Sequence, residues 1–303
     1  MLSCSTCWNS ARHTDGEAMV MELADLGFSQ VELSHGIRIS LVEGIQRAAD
    51  KGRIQFSSLH NFCPLPAEVT RPSPDCYQFS SPDPAERQRA VRLSFQTIDY
   101  AVRLGVPRIV LHLGRTPRAI SSEPLLQLAL EGRIHSRLYV KTKLRLIEER
   151  ARAAAKPLAH ARECLLQVAE YAEKKRVTLG IESRHKYEEI PCESEMLALL
   201  DEFPGPTVGY WHDFGHVQVK HNLGFLNHLQ WLQKTAQRLV GCHLHDTAWP
   251  GKDHLPPFSG DIDYPALLRL LPNSTLFVFE IHPKRDAKEL SEAREKWTQL
   301  FGP

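Results

Sequence analysis

The residues with the most chemical potential in this chain are acids and imidazoles that recur directly after short apolar runs. Trp211-His212-Asp213-Phe214-Gly215-His216 follows Val208-Gly209-Tyr210, a strand-like run, and places a carboxylate and an imidazole three residues apart. Gly180-Ile181-Glu182 closes Val177-Thr178-Leu179. Cys242-His243-Leu244-His245-Asp246 closes Leu239-Val240, and Phe279-Glu280-Ile281-His282 closes Leu276-Phe277-Val278. Carboxylate oxygens and imidazole nitrogens are the ligand types of divalent metal ions. Their recurrence at the ends of separate strand-like runs predicts one shared metal site.

Side chains alternate between the two faces of a strand. Glu182 therefore shares a face with Gly180 and Thr178, Glu280 with Val278 and His282, and His243 with Gly241 and His245. Asp213 shares its face with Trp211 and Gly209. The opposite faces are largely apolar and suited to packing beneath helices. His212 points away from Asp213 and is expected to be a satisfied core histidine.

The elements that must position these groups alternate in kind along the chain. Strands are expected at Leu2–Thr6, Gln30–Leu33, Ile54–His60 and Pro107–His112, then at the four runs above. Helices are expected near Glu17–Ala24 (with Asp15 as cap), Leu41–Ala49, Ala85–Leu104, Leu158–Lys174, Ser194–Glu202, Leu223–Leu239 and Asp286–Leu300. Eight strands alternating with helices predict an α/β fold, a single (β/α)8 barrel spanning residues 1–303. Residues 61–84 form a long loop rich in Pro and Ser, more suited to covering a surface than to a bare connection. The stretch after strand four is far longer than one barrel helix requires, so a helical insertion is expected over residues 115–156. Its excess of Lys and Arg reads as a solvated helix face, a subunit contact or a cover over the site.

The whole-chain properties fit a globular protein. It has 303 residues, with 42% hydrophobic and 24% charged residues and a formal net charge of +1. So small a net charge argues against a strongly electrostatic nucleic-acid binder. There is no run of roughly 18 apolar residues and no basic-then-apolar leader, so no membrane association and a cytoplasmic location are expected. Seven cysteines at scattered spacings do not form a disulfide framework. Cys4 and Cys7, a lone CxxC, are expected to be buried residues of the first strand.

In its ordered motifs the sequence resembles the xylose isomerase-like barrels, the superfamily of sugar isomerases, epimerases and endonuclease IV. The resemblance rests on Gly27-Phe28 with Val31-Glu32-Leu33, Leu59-His60, Leu111-His112 and Ile181-Glu182. It continues through Asp213-Phe-Gly-His216, His243-Leu-His245-Asp246, the segment from Asp253-His254 to Asp263, and Phe279-Glu280-Ile-His. It implies one divalent metal ion, Mn, Mg, Co or Zn, held by Glu182, Asp213, His243 and Glu280. It also implies that Glu182 and Glu280 act as the catalytic acid and base. The expected activity is isomerisation or epimerisation of a small sugar, polyol or hydroxy-keto compound, by proton transfer through a metal-stabilised enediolate.

His216 resembles the family's substrate-contacting histidine. His60, His112, His254, Glu32 and Lys252 are the further expected substrate contacts, with His60 and His112 also able to hold a second metal or to orient a carboxylate. Lys252 stands near where some relatives carry an arginine. The alternative is a multi-zinc phosphoesterase similar to endonuclease IV, in which His60, His112, His216 and His254 serve as extra zinc ligands. The expected partner is a small carbohydrate-like molecule, with a homo-oligomer implied by the resemblance alone.

Overall fold

A computed structural model describes residues 1–117 and 120–302; two of the three remaining residues fall within the 115–156 segment. Ten strands are present among the described residues. They are β1 (Leu2–Ser5), β2 (Gln30–Leu33), β3 (Gln55–His60), β4 (Arg108–Leu111), β5 (Thr178–Glu182), β6 (Val208–Asp213), β7 (Leu239–Leu244), β8 (Asp246–Ala248), β9 (Lys252–Leu255) and β10 (Phe277–Phe279). β1 to β7 and β10 close into an all-parallel barrel, with β10 pairing β1 through Leu2↔Phe277 and Cys4↔Phe279. This is a (β/α)8 TIM barrel. β8 and β9 form a separate antiparallel hairpin.

Local chemistry sets the helix boundaries. α1 (Gly16–Asp25) begins where the Asp15 carboxylate accepts the Ala18 amide at 2.8 Å, satisfying a donor the helix itself cannot pair. α2 (Val42–Asp50) follows β2, and α3 (Pro84–Leu104) starts at the Asp83 cap with Pro at its first position. It ends at Gly105, whose φ of 68° is the left-handed conformation that terminates helices. Within residues 115–156 the chain forms α4 (Glu123–Leu130) and α5 (Arg137–Ala153), which pack together around Leu125, Leu128, Tyr139 and Leu146. α6 (Ala155–Lys175) and α7 (Glu193–Glu202) flank β5 in sequence. No described helix is long and apolar enough to cross a membrane.

Three local expectations change. The helix expected over Leu223–Leu239 is shorter, α9 (His228–Thr235), with a further helix, α8 (Phe214–Asn222), before it and β7 beginning at Leu239. Asp213 caps α8 directly from the end of β6, accepting the His216 amide at 2.7 Å. Gly224, at φ 70°, then breaks the chain before Asn227 caps α9. Cys7 lies beyond β1 in a short 3-10 turn, half-buried, whereas Cys4 is a fully buried strand residue. The β8–β9 hairpin adds two short strands to the eight expected. It precedes α10 (Tyr264–Leu268), and α11 (Ala287–Phe301) closes the chain behind the reciprocal Asp286–Glu289 cap.

The apolar faces of the strands meet the helices in one large core. Inside the barrel, Val110, Trp211, Leu276 and Val278 form a smaller apolar plug. Trp211 crosses the interior because Gly241 leaves room for it: a Cβ there would lie 2.3 Å from the indole ring. That indole packs edge-on beneath the His243 ring at 5.1 Å and forms a dry floor under the polar groups above it.

Candidate active site and metal centre

Four strands deliver acids or imidazoles to the C-terminal mouth of the barrel. β5 ends at Glu182 and β6 at Asp213, β7 carries His243 level with Asp213, and Glu280 directly follows β10. Ligand atoms from these four residues all lie within 4.8 Å of one another. His243 Nδ1 is 3.2 Å from Glu280 Oε2, 3.3 Å from Glu182 Oε1 and 3.7 Å from Asp213 Oδ2. On the far side of the same ring, Nε2 lies 3.2 Å from Glu32 Oε1. Glu32 is fully buried and also accepts the Ser58 hydroxyl at 2.7 Å. Donation from Nε2 to Glu32 leaves Nδ1 with a lone pair that faces three carboxylates. That position favours a cation, either a proton or a metal ion.

More imidazoles surround this cluster. Glu182 Oε2 meets His112 Nε2 at 2.7 Å and His60 Nε2 at 3.2 Å, while Oε1 lies 3.4 Å from His216 Nδ1. His60 donates its other nitrogen to the Asn61 carbonyl at 3.1 Å. On the outer side of His112, Nδ1 lies 3.4 Å from Asp75, whose second oxygen accepts from Arg184 at 2.7 Å. His245 donates through Nε2 to Asp213 at 2.9 Å and accepts the His254 backbone N–H on Nδ1 at 2.9 Å. Nitrogens of His216, His245 and His254 also come within 4.8 Å of one another. His245 nevertheless has both its nitrogens committed, so it orients Asp213 rather than offering a lone pair to an ion. Its ring fits against the start of α8 only because residue 215 is glycine; a Cβ there would lie 2.0 Å from the imidazole.

Burial opposes charge at Glu182, Asp213, His243 and His216, and the pairing overrides it. Burial would raise the Glu182 carboxyl, but His243, His216 and His60 hold it well below the usual carboxylate range. Asp213 is likewise held low against its burial by His216, His245 and His243. Burial lowers His243, and the nearby Glu280, Glu32 and Glu182 overcome it and raise the ring well above 6.5. His216 is raised to about 10 by Asp213 and Glu182 despite its burial. A concentration of buried negative charge is compensated here only by imidazolium protons, an arrangement that a divalent cation can replace.

A cavity of about 710 Å³ opens beside the cluster, with Glu280 and His254 in its wall. The sequence model of the xylose isomerase-like TIM barrel family matches residues 20–299. This chain belongs to that family. An uncharacterised protein, y4fM, of Sinorhizobium fredii is 26% identical over 250 residues, covering 80% of this chain and 68% of its own. A solved D-tagatose 3-epimerase-like protein superposes with a TM-score of 0.69 at 16% identity, over 99% of this chain and 97% of that one. The D-allulose 3-epimerase of a Methylomonas species, solved in complex with D-allulose, gives 0.66 at 15% identity, over 98% and 96%. At these identities the likeness is one of fold.

Within this family barrel the residues singled out from sequence fall into five places. Glu182, Asp213, His243 and Glu280 form the cluster, and His60, His112 and His216 stand around Glu182. His254 borders the cavity, 3.9 Å from Glu280. Glu32 lies beneath His243, buried against Nε2, and not in the cavity wall. Lys252 is exposed at the start of β9, outside the cavity wall. Sequence reading missed His35, which follows β2, lines the cavity and has a buried Nδ1 with no hydrogen-bond partner. It also missed Asp75 and Arg184. Arg184 follows Glu182 by two residues, a signal that was available, whereas nothing in the Pro-rich loop fixes which way Asp75 faces.

Proposed function

We propose that this barrel is a divalent-metal-dependent isomerase or epimerase of a small keto sugar or related polyol. The observation that carries this reading is the His243 ring, with Nε2 on the buried Glu32 and Nδ1 facing Glu280, Glu182 and Asp213. Three carboxylates and one imidazole suit Mn, Mg, Co or Zn, and Glu182, Asp213, His243 and Glu280 would hold the ion. When bound, the ion supplies Lewis-acid stabilisation to the negative charge that develops on a sugar's carbonyl oxygen.

The chain's own groups then manage the proton. Glu280, in the cavity wall, is placed to take it from the carbon next to the carbonyl. Glu182 approaches from β5, separated from β10 around the barrel by β6 and β7, and returns a proton from a different side. His60 and His112 spread the charge on its outer oxygen. His216 and His254 are assigned to the substrate's hydroxyls, and His245 holds Asp213 in place. Solved structures named as a D-tagatose 3-epimerase-like protein and as a D-allulose 3-epimerase bound to D-allulose support the substrate class. In deuterated water, with Mn or Co added, turnover of a keto sugar should place deuterium on the carbon next to the carbonyl. Turnover without such exchange would falsify the proton-transfer mechanism.

A second reading is favoured by one feature, the contact of Glu182 Oε2 with both His112 and His60. His60, His112 and Glu182 would hold a second ion beside the four-residue cluster, and a pair of ions would supply the charge stabilisation that phosphoester hydrolysis uses. Metal content separates the readings. About one equivalent per chain supports the isomerase, and two or more, with phosphodiester cleavage, support the hydrolase.

A further inference from the structure

The cavity is larger and less polar than a simple sugar requires. At about 710 Å³ it falls within the roughly 300–1,000 Å³ of sites that enclose drug-sized ligands. Its inner end is made by residues at the mouths of barrel strands, among them Ser34 and His35 after β2 and Glu280 after β10. The outer wall comes from two loops instead: Arg38, Ser40 and Thr70 are its polar members, and its larger apolar side chains are Ile39 from the first loop and Leu65, Pro66, Val69 and Pro72 from the second. None of these five apolar side chains can hydrogen-bond a hydroxyl group. Ile39 is 67% exposed, so its apolar surface is open to a ligand in the cavity it lines.

This wall is built rather than loose. The Leu65 amide donates to the Ile37 carbonyl at 2.7 Å, joining the two loops. Farther along, the Tyr77 hydroxyl donates to Glu68 at 2.9 Å, and Arg89 lies 3.6 Å from the same carboxylate. The apolar wall is therefore held in place, continuous with the cluster and open at its rim.

We propose that the substrate is not a bare sugar but a keto sugar with an apolar substituent at the end remote from its reacting carbons. The polar end of the molecule lies at Glu280, His254 and His35, and the substituent lies against Ile39, Leu65 and Val69. This rests on the isomerase reading and deepens it by naming the substrate class. The substituent leaves water on binding and adds affinity in proportion to the apolar area it covers.

The test compares terminal-carbon benzyl and methyl ethers of D-fructose, D-tagatose and D-allulose with the full-length metal-loaded protein, by solvent-deuterium exchange. The benzyl ether of the accepted sugar should show a kcat/KM about tenfold or more above its methyl ether. The exposed-wall double variant I39D/V69D should cut that ratio about fivefold or more. A benzyl-to-methyl ratio near one, or a ratio indifferent to I39D/V69D, overturns the proposal while exchange itself leaves the isomerase reading standing. Absence of exchange with every sugar, plain or etherified, overturns the isomerase reading and this proposal with it.

Discussion

His212 and Asp213 are neighbours on β6, yet they belong to two regions with opposite electrostatic character. Asp213 points into the barrel mouth, where buried carboxylates and raised imidazoles face one another. His212 points outward, into a neutral network under α8 and α9. Trp231 donates to the Tyr210 hydroxyl at 2.7 Å, and that hydroxyl lies 2.9 Å from His212 Nδ1. His212 Nε2 then meets His228 Nε2 at 3.0 Å, and His228 donates to the Gln218 amide oxygen at 2.8 Å. Each of these ring nitrogens has a partner, and among the described residues no carboxylate is in ion-pair contact with either ring, so the more distant Asp213 does not outweigh burial. Burial accordingly pushes His212 down to about 3, and His228 also well below 6.5, whereas His243 is pushed up. The same residue type, equally buried, is neutral on one side of the strand and cationic on the other. What differs is the company of carboxylates, and that company marks the inner face as the place for a metal ion.

The comparison can be broken most severely at Glu280. Glu280→Gln removes the carboxylate proposed as cavity-facing base and metal ligand while keeping the shape. Turnover should fall by about 10³-fold or more with the far-ultraviolet circular dichroism unchanged. Retained activity removes Glu280 from the chemistry. A smaller effect is expected one layer out: Glu32→Gln weakens the acceptor behind His243 and should lower metal affinity by about 10- to 100-fold in competition with a chelator. An affinity identical to that of the native protein makes Glu32 a packing residue only.

The outer face gives the contrasting prediction. His212 and His228 bind protons in the unfolded chain near pH 6.5 but resist them when folded. The unfolded state thus holds more protons between about pH 6.5 and 3, and stability falls as the pH drops through that window. Denaturant unfolding at pH 7 and pH 4.5 should show a loss on the order of 2.5 kcal/mol from His212 alone, with His228 adding in the same direction. In His212→Asn the loss over that interval should shrink; an unchanged loss shows that His212 is not buried neutral. The smallest effect is expected at Lys252, exposed on β9: Lys252→Ala should change kcat/KM by no more than about threefold, or about 0.65 kcal/mol.

Much of this contrast could be read in the sequence because strand parity is strict. Counting by two from Glu182, Asp213, His243 and Glu280 places each on the inner face, and His212 on the outer one, before any coordinate is known. Glu32 has the same parity but ends deeper in the barrel, level with Ser58 and Ser5, and depth is set by strand stagger that parity does not encode. The hairpin carrying His254 was not legible either, since its strands are short and lack alternation. His254 adopts φ 53°, a conformation few non-glycine residues hold and one no local pattern announces. The helix α8 was hidden by treating Asp213 only as a ligand, when the same carboxylate also caps that helix.

The account rests on one divalent ion sharing four protein groups at the barrel mouth. The most direct measurement is the metal stoichiometry of the purified protein, set beside that of the His243→Ala variant in the same buffer. One equivalent of Mn, Co, Zn or Mg in the native chain, lost or greatly weakened in His243→Ala with the fold retained, is the result expected. A native protein that takes up no divalent ion, or a variant that binds it equally well, contradicts the centre and the reaction built on it.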